Sequence, residues 1–422
     1  MGAMTTRPAK HSAKEPKHHL RASDLRAMAL LAHQATTAVT QIAEGVHQSI
    51  WRTLGAPSGA TPAQTRGLTG LIYKSINGVS SFVGRGVVSA LDRLEPLLKR
   101  LETQSDETPE RAAFIAALNG VMGDRLQLTA NPLATPMTLR FQGQVLDWAA
   151  PPAAELVNGK VLIVIHGLCM NELQWVSQHA GKPVNHASAL SDALGYTPVY
   201  VRYNSGLHVS ENGHELDRQL GDLLAHWPVP VTDITVLAHS MGGLIARSAL
   251  QVATQASRQW PTCLKRVVFL GTPHHGSPLE RAGNWVDVIL GSNRYSRPFA
   301  RLGHLRSAGV TDLRYGHVLD ADWQGHDRFR RKPDSRTPVP LPPDVQWFAV
   351  AATTAAKRSP AADRLTGDGL VPLRSALGQH DDAKRCLHFA PTHQYIAYRT
   401  GHLQLLSSPA VQQQLLSWLA PH

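Results

Sequence analysis

The sequence predicts an α/β fold with a mostly parallel, doubly wound sheet. From residue 161 onward, short apolar runs alternate with amphipathic segments of helical length. Strands that alternate with helices form a parallel sheet with helices on both faces. The first run, residues 161–165, is continuously apolar, which is typical of a strand buried on both faces. A chain of 422 residues with 43% hydrophobic residues is long and apolar enough for such a core.

The elements follow one another in a regular order. An alternating segment at 138–146 reverses at Gly143 and predicts a hairpin. The predicted strands that follow it cover residues 161–165, 198–203, 234–238, 266–270, 347–353 and 385–389. The predicted helices cover residues 185–195, 213–226, 241–254 and 408–419. Together they delimit a predicted catalytic domain at 131–422.

The N-terminal part has a different character. Residues 1–20 are basic and aperiodic, which predicts a disordered tail. Residues 21–130 predict a helical region, because apolar side chains recur every three or four positions. Its three predicted helices cover residues 23–54, 68–98 and 109–122. Amphipathic helices of this kind pack on each other or on a neighbouring domain, or dock on a lipid or granule surface. Both alternatives stay open at this point.

A long segment separates two of the late predicted strands. The chain between residues 270 and 347 exceeds an ordinary crossover and contains apolar Trp285, Val286 and Ile289. Loops at the carboxyl ends of parallel strands form the site in such folds. We therefore predict a lid insertion at about 278–343, with a surface excursion as the alternative.

The amino-acid composition indicates which classes of partner the protein is expected to have. The net charge of +11 favours contact with anionic surfaces, but no dense basic motif with interleaved aromatic residues is present. We therefore expect no nucleic-acid partner. Three widely spaced cysteines form no disulfide framework and no metal-ligand spacing, and they favour a reducing compartment. Without an apolar run of roughly 20 residues, the chain is expected to be cytoplasmic, or peripheral to a membrane or granule. We expect no metal and no cofactor.

Ser240 occupies the most informative position of the chain. It follows an apolar run at 234–237 and precedes a helical pattern, so it lies at a strand-to-helix bend. Small residues flank it two positions away, Ala238 and Gly242. A sharp bend of this kind exposes a serine hydroxyl for attack, provided that a base lies beside it. The alternative is an ordinary serine cap at a helix N-terminus.

An acid and a histidine follow in the order that such a bend requires. Asp368 lies in a glycine-flanked turn after the predicted strand 347–353, where it is the predicted catalytic acid. The alternative is an ordinary Asp-Gly turn. His402 precedes the final helix and is the predicted base, with His393 as a competitor in the same region. We prefer His402 because Gly401 precedes it and a helix entry follows.

Two backbone amides are predicted to form an oxyanion hole. The amide of Met241 directly follows the serine at a helix N-terminus. The second donor is predicted to be the amide of Leu168, in the loop after the first strand of the core, where Gly167 permits a close approach. His166 is interpreted as a scaffold residue that orients this loop.

These motifs resemble serine lipases and esterases of the α/β-hydrolase superfamily, most closely the group similar to GPI inositol-deacylases and bacterial triacylglycerol lipases. The resemblance covers residues 138–422. The motifs that carry it are His166-Gly-Leu168, Ala238-His-Ser-Met-Gly-Gly243, Gly271-Thr-Pro-His-His-Gly-Ser277, Gly367-Asp-Gly-Leu-Val-Pro372 and Gly401-His402. It implies the α/β-hydrolase fold, a Ser240–Asp368–His402 triad and hydrolysis of carboxylic esters. Ala238, where the pattern usually has glycine, is a departure that the bend can absorb.

The expected function is therefore hydrolysis of lipid-like or apolar acyl esters through an acyl-enzyme, with a small-molecule or lipid ester as substrate. Polyester depolymerase, thioesterase and acyltransferase activities are alternatives on the same fold. A different class is a non-catalytic interaction protein that its N-terminal helices recruit to a surface. An intact serine, acid and histidine set argues against this last alternative.

Overall fold

The computed structural model describes residues 108–277, 306–328, 334–357 and 367–421. The predicted basic tail, the first two N-terminal helices and the apolar lid residues Trp285, Val286 and Ile289 lie outside these ranges. The described part of the predicted lid is 306–328 and 334–343.

Strands and helices alternate along most of the described chain. The strands are β1 Thr138–Phe141, β2 Gln144–Val145, β3 Lys160–Ile165, β4 Ser177–His179, β5 Lys182–Val184, β6 Thr197–Arg202, β7 Asp233–His239, β8 Leu264–Leu270, β9 Gln346–Thr353 and β10 Gln394–Tyr398. The α-helices are α1 Pro109–Leu128, α2 His186–Leu194, α3 Val209–His226, α4 Met241–Gln255, α5 Ala308–Asp312, α6 Leu373–Ala376 and α7 Pro409–Leu419.

Eight of these strands form one sheet in the order β10-β9-β8-β7-β3-β6-β1-β2. Six of them, from β10 to β6, are mutually parallel, and β1 runs antiparallel to both β6 and β2. The predicted hairpin turns at Gly143, whose φ is 81°. The mostly parallel sheet with flanking helices confirms the predicted fold class. A strand-to-helix bend that carries a serine follows β7, as at the nucleophile elbow of the α/β-hydrolase fold.

The helices cover both faces of the sheet. Successive residues of a strand point to opposite faces, so neighbouring residues of one strand contact different helices. On β3, Ile163 belongs to a core cluster that includes residues of α1, α3 and α4. Its neighbour Leu162 belongs to a second cluster with residues of α2 and α7. Both side chains are fully buried. The continuous apolar run that predicted a strand buried on both faces therefore meets helices on both sides.

The predicted strand at 385–389 is wrong. Residues Ala383–Arg385 form a short 3-10 turn, and the edge strand is β10, farther along the chain. Leu387 and Phe389 are buried, so their apolar pattern reflects core packing of an irregular segment. Strand β10 carries mostly half-buried residues and, among the described strands, pairs only with β9, so its apolar pattern is weak.

Helix α1 packs closely against the segment that follows β3. A Cβ atom at Gly120 would lie 2.8 Å from the Cα atom of Cys169, so only glycine allows this approach. The Asn119 amide donates to the Leu133 carbonyl at 2.7 Å and fixes the loop after the helix. Ala117 of the same helix is fully buried in the main core cluster. Helix α1 therefore supports the loop in which the predicted oxyanion donor lies.

Candidate active site

Ser240 lies at a strained bend between β7 and α4. Its backbone has φ 55° and ψ −124°, a conformation that costs free energy for any residue other than glycine. Its N–H donates to the Leu270 carbonyl at the end of β8, at 2.9 Å, which helps to hold the bend. The residue is 1% exposed. The strain indicates that the surrounding structure enforces this position of the hydroxyl.

Small residues around Ser240 allow neighbouring backbone to pass. A Cβ atom at Gly242 would lie 2.6 Å from the His166 carbonyl oxygen, which is too close for any side chain. A Cβ atom at Gly243 would collide with the Thr272 side chain. Ala238 is fully buried, and its methyl group is accommodated two residues before the serine, where the usual nucleophile-elbow pattern has glycine.

His402 connects the serine to the acid. Its Nε2 lies 2.8 Å from Ser240 Oγ, and its Nδ1 lies 2.7 Å from Asp368 Oδ2. In the neutral imidazole, Nδ1–H donates to the carboxylate and Nε2 accepts from the hydroxyl. The competitor His393 lies before β10, where its ring packs 4.2 Å from that of Phe348. The structure therefore brings together Ser240, His402 and Asp368, and leaves His393 outside.

The turn that carries Asp368 fixes its carboxylate. Its Oδ1 accepts hydrogen bonds from the backbone N–H groups of Leu370 and Val371, at 2.9 and 2.7 Å. The other oxygen is thereby directed toward His402. The Asp368 carbonyl also accepts from the N–H of His402 at 3.0 Å, so a backbone hydrogen bond joins the same two residues as the side-chain hydrogen bond. The flanking Gly367 has a φ of 45°, which favours glycine at the turn.

The predicted oxyanion loop lies directly against the serine. A Cβ atom at Gly167 would be 3.0 Å from Ser240 Cβ, so its missing side chain permits the contact. Leu168 and Met241 are 1% and 0% exposed. Within the described residues, neither of their backbone N–H groups has a hydrogen-bond acceptor. Two buried donors beside one hydroxyl can stabilise a negatively charged oxygen.

His166 holds this loop in place. Its Nδ1–H donates to the Gly167 carbonyl at 2.8 Å, and its Nε2 accepts from the N–H of Tyr203 at 3.4 Å. The Tyr203 hydroxyl donates to the His166 carbonyl at 2.7 Å, and the two rings stack at 4.1 Å. Burial lowers the pKa of His166 to about 4, so the imidazole is neutral near pH 7. These contacts give His166 an orienting role.

Sequence reasoning missed His239, the residue before the serine. Its Nε2 donates to the His402 carbonyl at 3.2 Å, and its ring lies 4.7 Å from that of His402. Burial holds the pKa of His239 well below its usual value, so this neutral ring packs beside His402 without adding charge. No local pattern in the sequence marks this residue, because its partner His402 lies far along the chain.

The role of the 271–277 motif is also visible only in the structure, through its contacts with residues far away in sequence. A Cβ atom at Gly271 would lie 3.2 Å from both Asp368 Oδ2 and His402 Cε1. Gly271, whose φ is 60°, therefore lets the end of β8 pass beside the acid–histidine pair. At the other end of the motif, the Ser277 hydroxyl donates to the Leu370 carbonyl. The motif thus joins β8 to the turn that carries Asp368.

The described ranges contain no group of three or more His, Cys, Asp and Glu residues that is arranged to hold a metal ion. Burial raises the pKa of the Cys169 thiol to about 12, so this neighbour of the oxyanion loop is not a competing nucleophile. Among the helices described, none has the length and apolar character to cross a bilayer.

The chain is distantly similar to several known proteins. A family model described as a domain of unknown function (DUF7379) matches residues 133–312, and no curated protein matches the sequence. The mature lipase BlEst2 of Bacillus licheniformis is 17% identical, with a TM-score of 0.41 over 68% of this chain and 98% of that chain. Lipase B of Aspergillus fumigatus is 10% identical, with a TM-score of 0.40 over 92% and 83%. Lipase 1 of Pelosinus fermentans is 12% identical, with a TM-score of 0.38 over 62% and 98%.

Proposed function

We propose that this protein is a serine hydrolase that cleaves carboxylic esters with apolar acyl groups through an acyl-enzyme. One observation carries the proposal: His402 lies 2.8 Å from Ser240 Oγ and 2.7 Å from the Asp368 carboxylate, which is the arrangement that activates a serine. The strained backbone of Ser240 and the two unpaired amides beside it support the same assignment.

Acylation follows from these distances. His402 Nε2 removes the Ser240 proton as Oγ attacks the ester carbonyl carbon, and the carbonyl oxygen takes the negative charge. The amides of Met241 and Leu168 donate to that oxygen. Asp368 keeps the proton of His402 on Nδ1 and stabilises the imidazolium that forms. The imidazolium then protonates the leaving alcohol, and the acyl group stays on Ser240.

Deacylation repeats these steps with water. His402 removes a proton from the water that attacks the acyl carbonyl, and the same amides stabilise the second tetrahedral intermediate. Collapse of this intermediate returns the proton to Ser240 Oγ and releases the acid. The chain's own residues suffice for every proton transfer.

Removal of the Ser240 hydroxyl is the decisive test. Ser240→Ala should lower kcat on 4-nitrophenyl esters by about 10⁴-fold or more, because the nucleophile is lost. Ser248→Ala removes a buried hydroxyl from the same helix α4 and should retain activity. Equal turnover by Ser240→Ala and the unmodified chain would refute the proposal.

Fluorophosphonate labelling separates an enzyme from a hydrolase-like interaction protein. Such probes react with activated serines, so the unmodified chain should be labelled and Ser240→Ala should not. Thioesters and polyester films, assayed beside the 4-nitrophenyl series, would rank the alternative substrates of the same fold. A chain that folds but takes no label would contradict the catalytic proposal.

We also propose that the N-terminal region docks on a lipid or granule surface in the cytoplasm. The deletion that tests it should end at residue 107, because α1 begins at Pro109 and packs in the core. The full chain should sediment with liposomes or granules more than the shortened chain does. Equal partitioning of the two proteins would exclude docking.

A further inference from the structure

The segment that carries the proposed base is short. His402 directly precedes a single 3-10 turn, Leu403–Leu406. The hydrogen bonds of a 3-10 turn have poorer geometry than those of an α-helix, so one turn does not fix its own position firmly. The His402 ring cannot cap the turn, because its two nitrogens face Ser240 and Asp368. Other groups must therefore hold this backbone in place.

His239, at the end of β7, holds the start of the turn. Its Nε2–H donates to the His402 carbonyl at 3.2 Å. Its other nitrogen, Nδ1, lies 3.0 Å from the position that a Cβ atom would take at Gly167. The ring is fully buried, and Trp175 packs against it edge-on at 6.5 Å. One fixed side chain therefore contacts both the oxyanion loop and the backbone of the base.

His186, the first residue of α2, holds the same turn from another element. Its Nε2–H donates to the Leu405 carbonyl at 2.8 Å. The ring is fully buried, and so is the Leu405 side chain, which belongs to the core cluster that includes residues of α2 and α7. The turn is thus held at two carbonyl groups, those of His402 and Leu405, by side chains from β7 and α2.

Both contacts depend on an N–H group in an apolar setting. Burial lowers the pKa of His239 and of His186, so each is a neutral imidazole near pH 7 with one N–H. Since the carbonyl acceptor lies at Nε2, the proton is on that nitrogen. Neither Nδ1 atom has a hydrogen-bond partner in the described part of the chain. An unpaired buried polar atom costs free energy, which an apolar side chain of similar size would avoid. The two rings therefore fit an anchoring role better than a space-filling one.

We propose that His239 and His186 are positioning residues, which hold the His402 ring within hydrogen-bond distance of Ser240 through these two carbonyl groups. The inference rests on the proposed function and adds two residues to it that touch neither the substrate nor the reacting atoms. The contact at stake is the 2.8 Å distance between His402 Nε2 and Ser240 Oγ. A displacement of about 1 Å in such a contact lowers the rate of the chemical step by about 10²-fold.

Paired substitutions separate the N–H group from the volume of the ring. His239→Gln and His186→Gln keep an N–H donor that reaches about as far as Nε2. His239→Met and His186→Met fill a similar space without a donor. On 4-nitrophenyl esters, the methionine variants should lose about 10²-fold in kcat with little change in KM, and the glutamine variants should stay within about threefold of the unmodified chain.

His393 offers a matched control, because its ring packs against Phe348 and lies outside the triad. His393→Gln and His393→Met should both keep the kcat of the unmodified chain. Thermal melting shows which variants fold, and asparagine, whose amide is too short to reach the carbonyl, replaces methionine at a position where methionine prevents folding. Equal kcat values for the variants with and without the donor, at both positions, would overturn the proposal.

Hydrogen exchange of the backbone N–H groups at 402–406 tests the anchoring without any turnover. These groups should exchange faster in His239→Met and His186→Met than in the unmodified chain, and the glutamine variants should protect them as the unmodified chain does. Exchange that is the same in all of these proteins would also overturn the proposal. If the unmodified chain were inactive but the variants showed the expected exchange, only the proposed function would be contradicted.

Discussion

At the scale of single residues, the site is preorganised by backbone groups. Two N–H groups fix one oxygen of Asp368, and its other oxygen meets His402 at 2.7 Å. His166 is likewise fixed by Gly167 and Tyr203. The acid and the oxyanion loop are therefore held in place before a substrate binds, and preorganised groups of this kind stabilise the charge that develops in a transition state.

Asp368→Asn tests the orienting role of the carboxylate. The amide oxygen would still accept from Leu370 and Val371, so the NH₂ group would face His402 Nδ1. The imidazole would then carry its proton on Nε2 and could not accept from Ser240. We expect kcat to fall by about 10⁴-fold with little change in stability. Steady-state kinetics and thermal melting would check this, and a kcat within tenfold of the unmodified value would contradict it.

Gly167→Ala tests the contact between the oxyanion loop and the nucleophile. The added methyl group would lie 3.0 Å from Ser240 Cβ, so the loop must move away from the serine. Because the Leu168 amide moves with it, we expect kcat to fall about 10²-fold. KM should change much less, since the Leu168 amide stabilises the charge of the transition state more than it stabilises the bound ester. An unchanged kcat would show that the loop accommodates the methyl group without displacing the Leu168 amide.

Much of this site could be predicted from the chain itself. The order of Ser240, Asp368 and His402, each in a recognisable local pattern, selected three residues that the structure brings into contact. The contributions of His239 and Gly271 could not be predicted in the same way. Both act through His402, more than 100 residues away in sequence, and such contacts leave no local pattern.

At the scale of elements, the continuously buried strands and the hairpin at one edge of the sheet were predictable, and the edge strand β10 was not. The run at 161–165 corresponds to β3 within one residue, because a strand buried on both faces is apolar throughout. The edge strand β10 has one partner and half-exposed residues, so an apolar irregular segment at 385–389 gave a stronger strand pattern. An apolar pattern in the sequence indicates which residues are buried. At this edge of the sheet the strand is half-exposed and a neighbouring irregular segment is buried, so the pattern does not identify the strand.

The same glycine substitution should have opposite effects in two helices. Gly120→Ala would place a methyl group 2.8 Å from the Cα atom of Cys169 and should destabilise the protein by about 1–3 kcal/mol. Gly221→Ala in α3 meets no atom within 4 Å and should stabilise it by about 0.5–1 kcal/mol. Urea unfolding of both variants measures the difference.

Gly120→Ala should also reduce activity, because Cys169 directly follows the oxyanion donor Leu168. Gly221→Ala should leave kcat unchanged. Equal stability of the two variants would mean that α1 does not support the oxyanion loop through this contact.

At the scale of the whole molecule, the core holds several neutral histidines. Burial lowers the pKa values of His166 and His275 to about 4 and about 3. Burial also lowers the pKa values of His186, His239 and His274. In the unfolded chain these groups titrate near 6.5. All five therefore couple folding to pH in the same direction.

The free energy of unfolding should fall as the pH drops from about 7 to about 5. Below 6.5 the unfolded chain binds protons that the folded chain does not, so stability rises with pH across this range. Each such histidine contributes at most about 1.4 kcal/mol per pH unit. Urea midpoints at three pH values measure the slope. In His186→Gln, whose amide can still donate to the Leu405 carbonyl, one titrating group is lost and the slope should be smaller. A midpoint that is constant, or that rises toward pH 5, would mean that these histidines can be protonated in the folded protein.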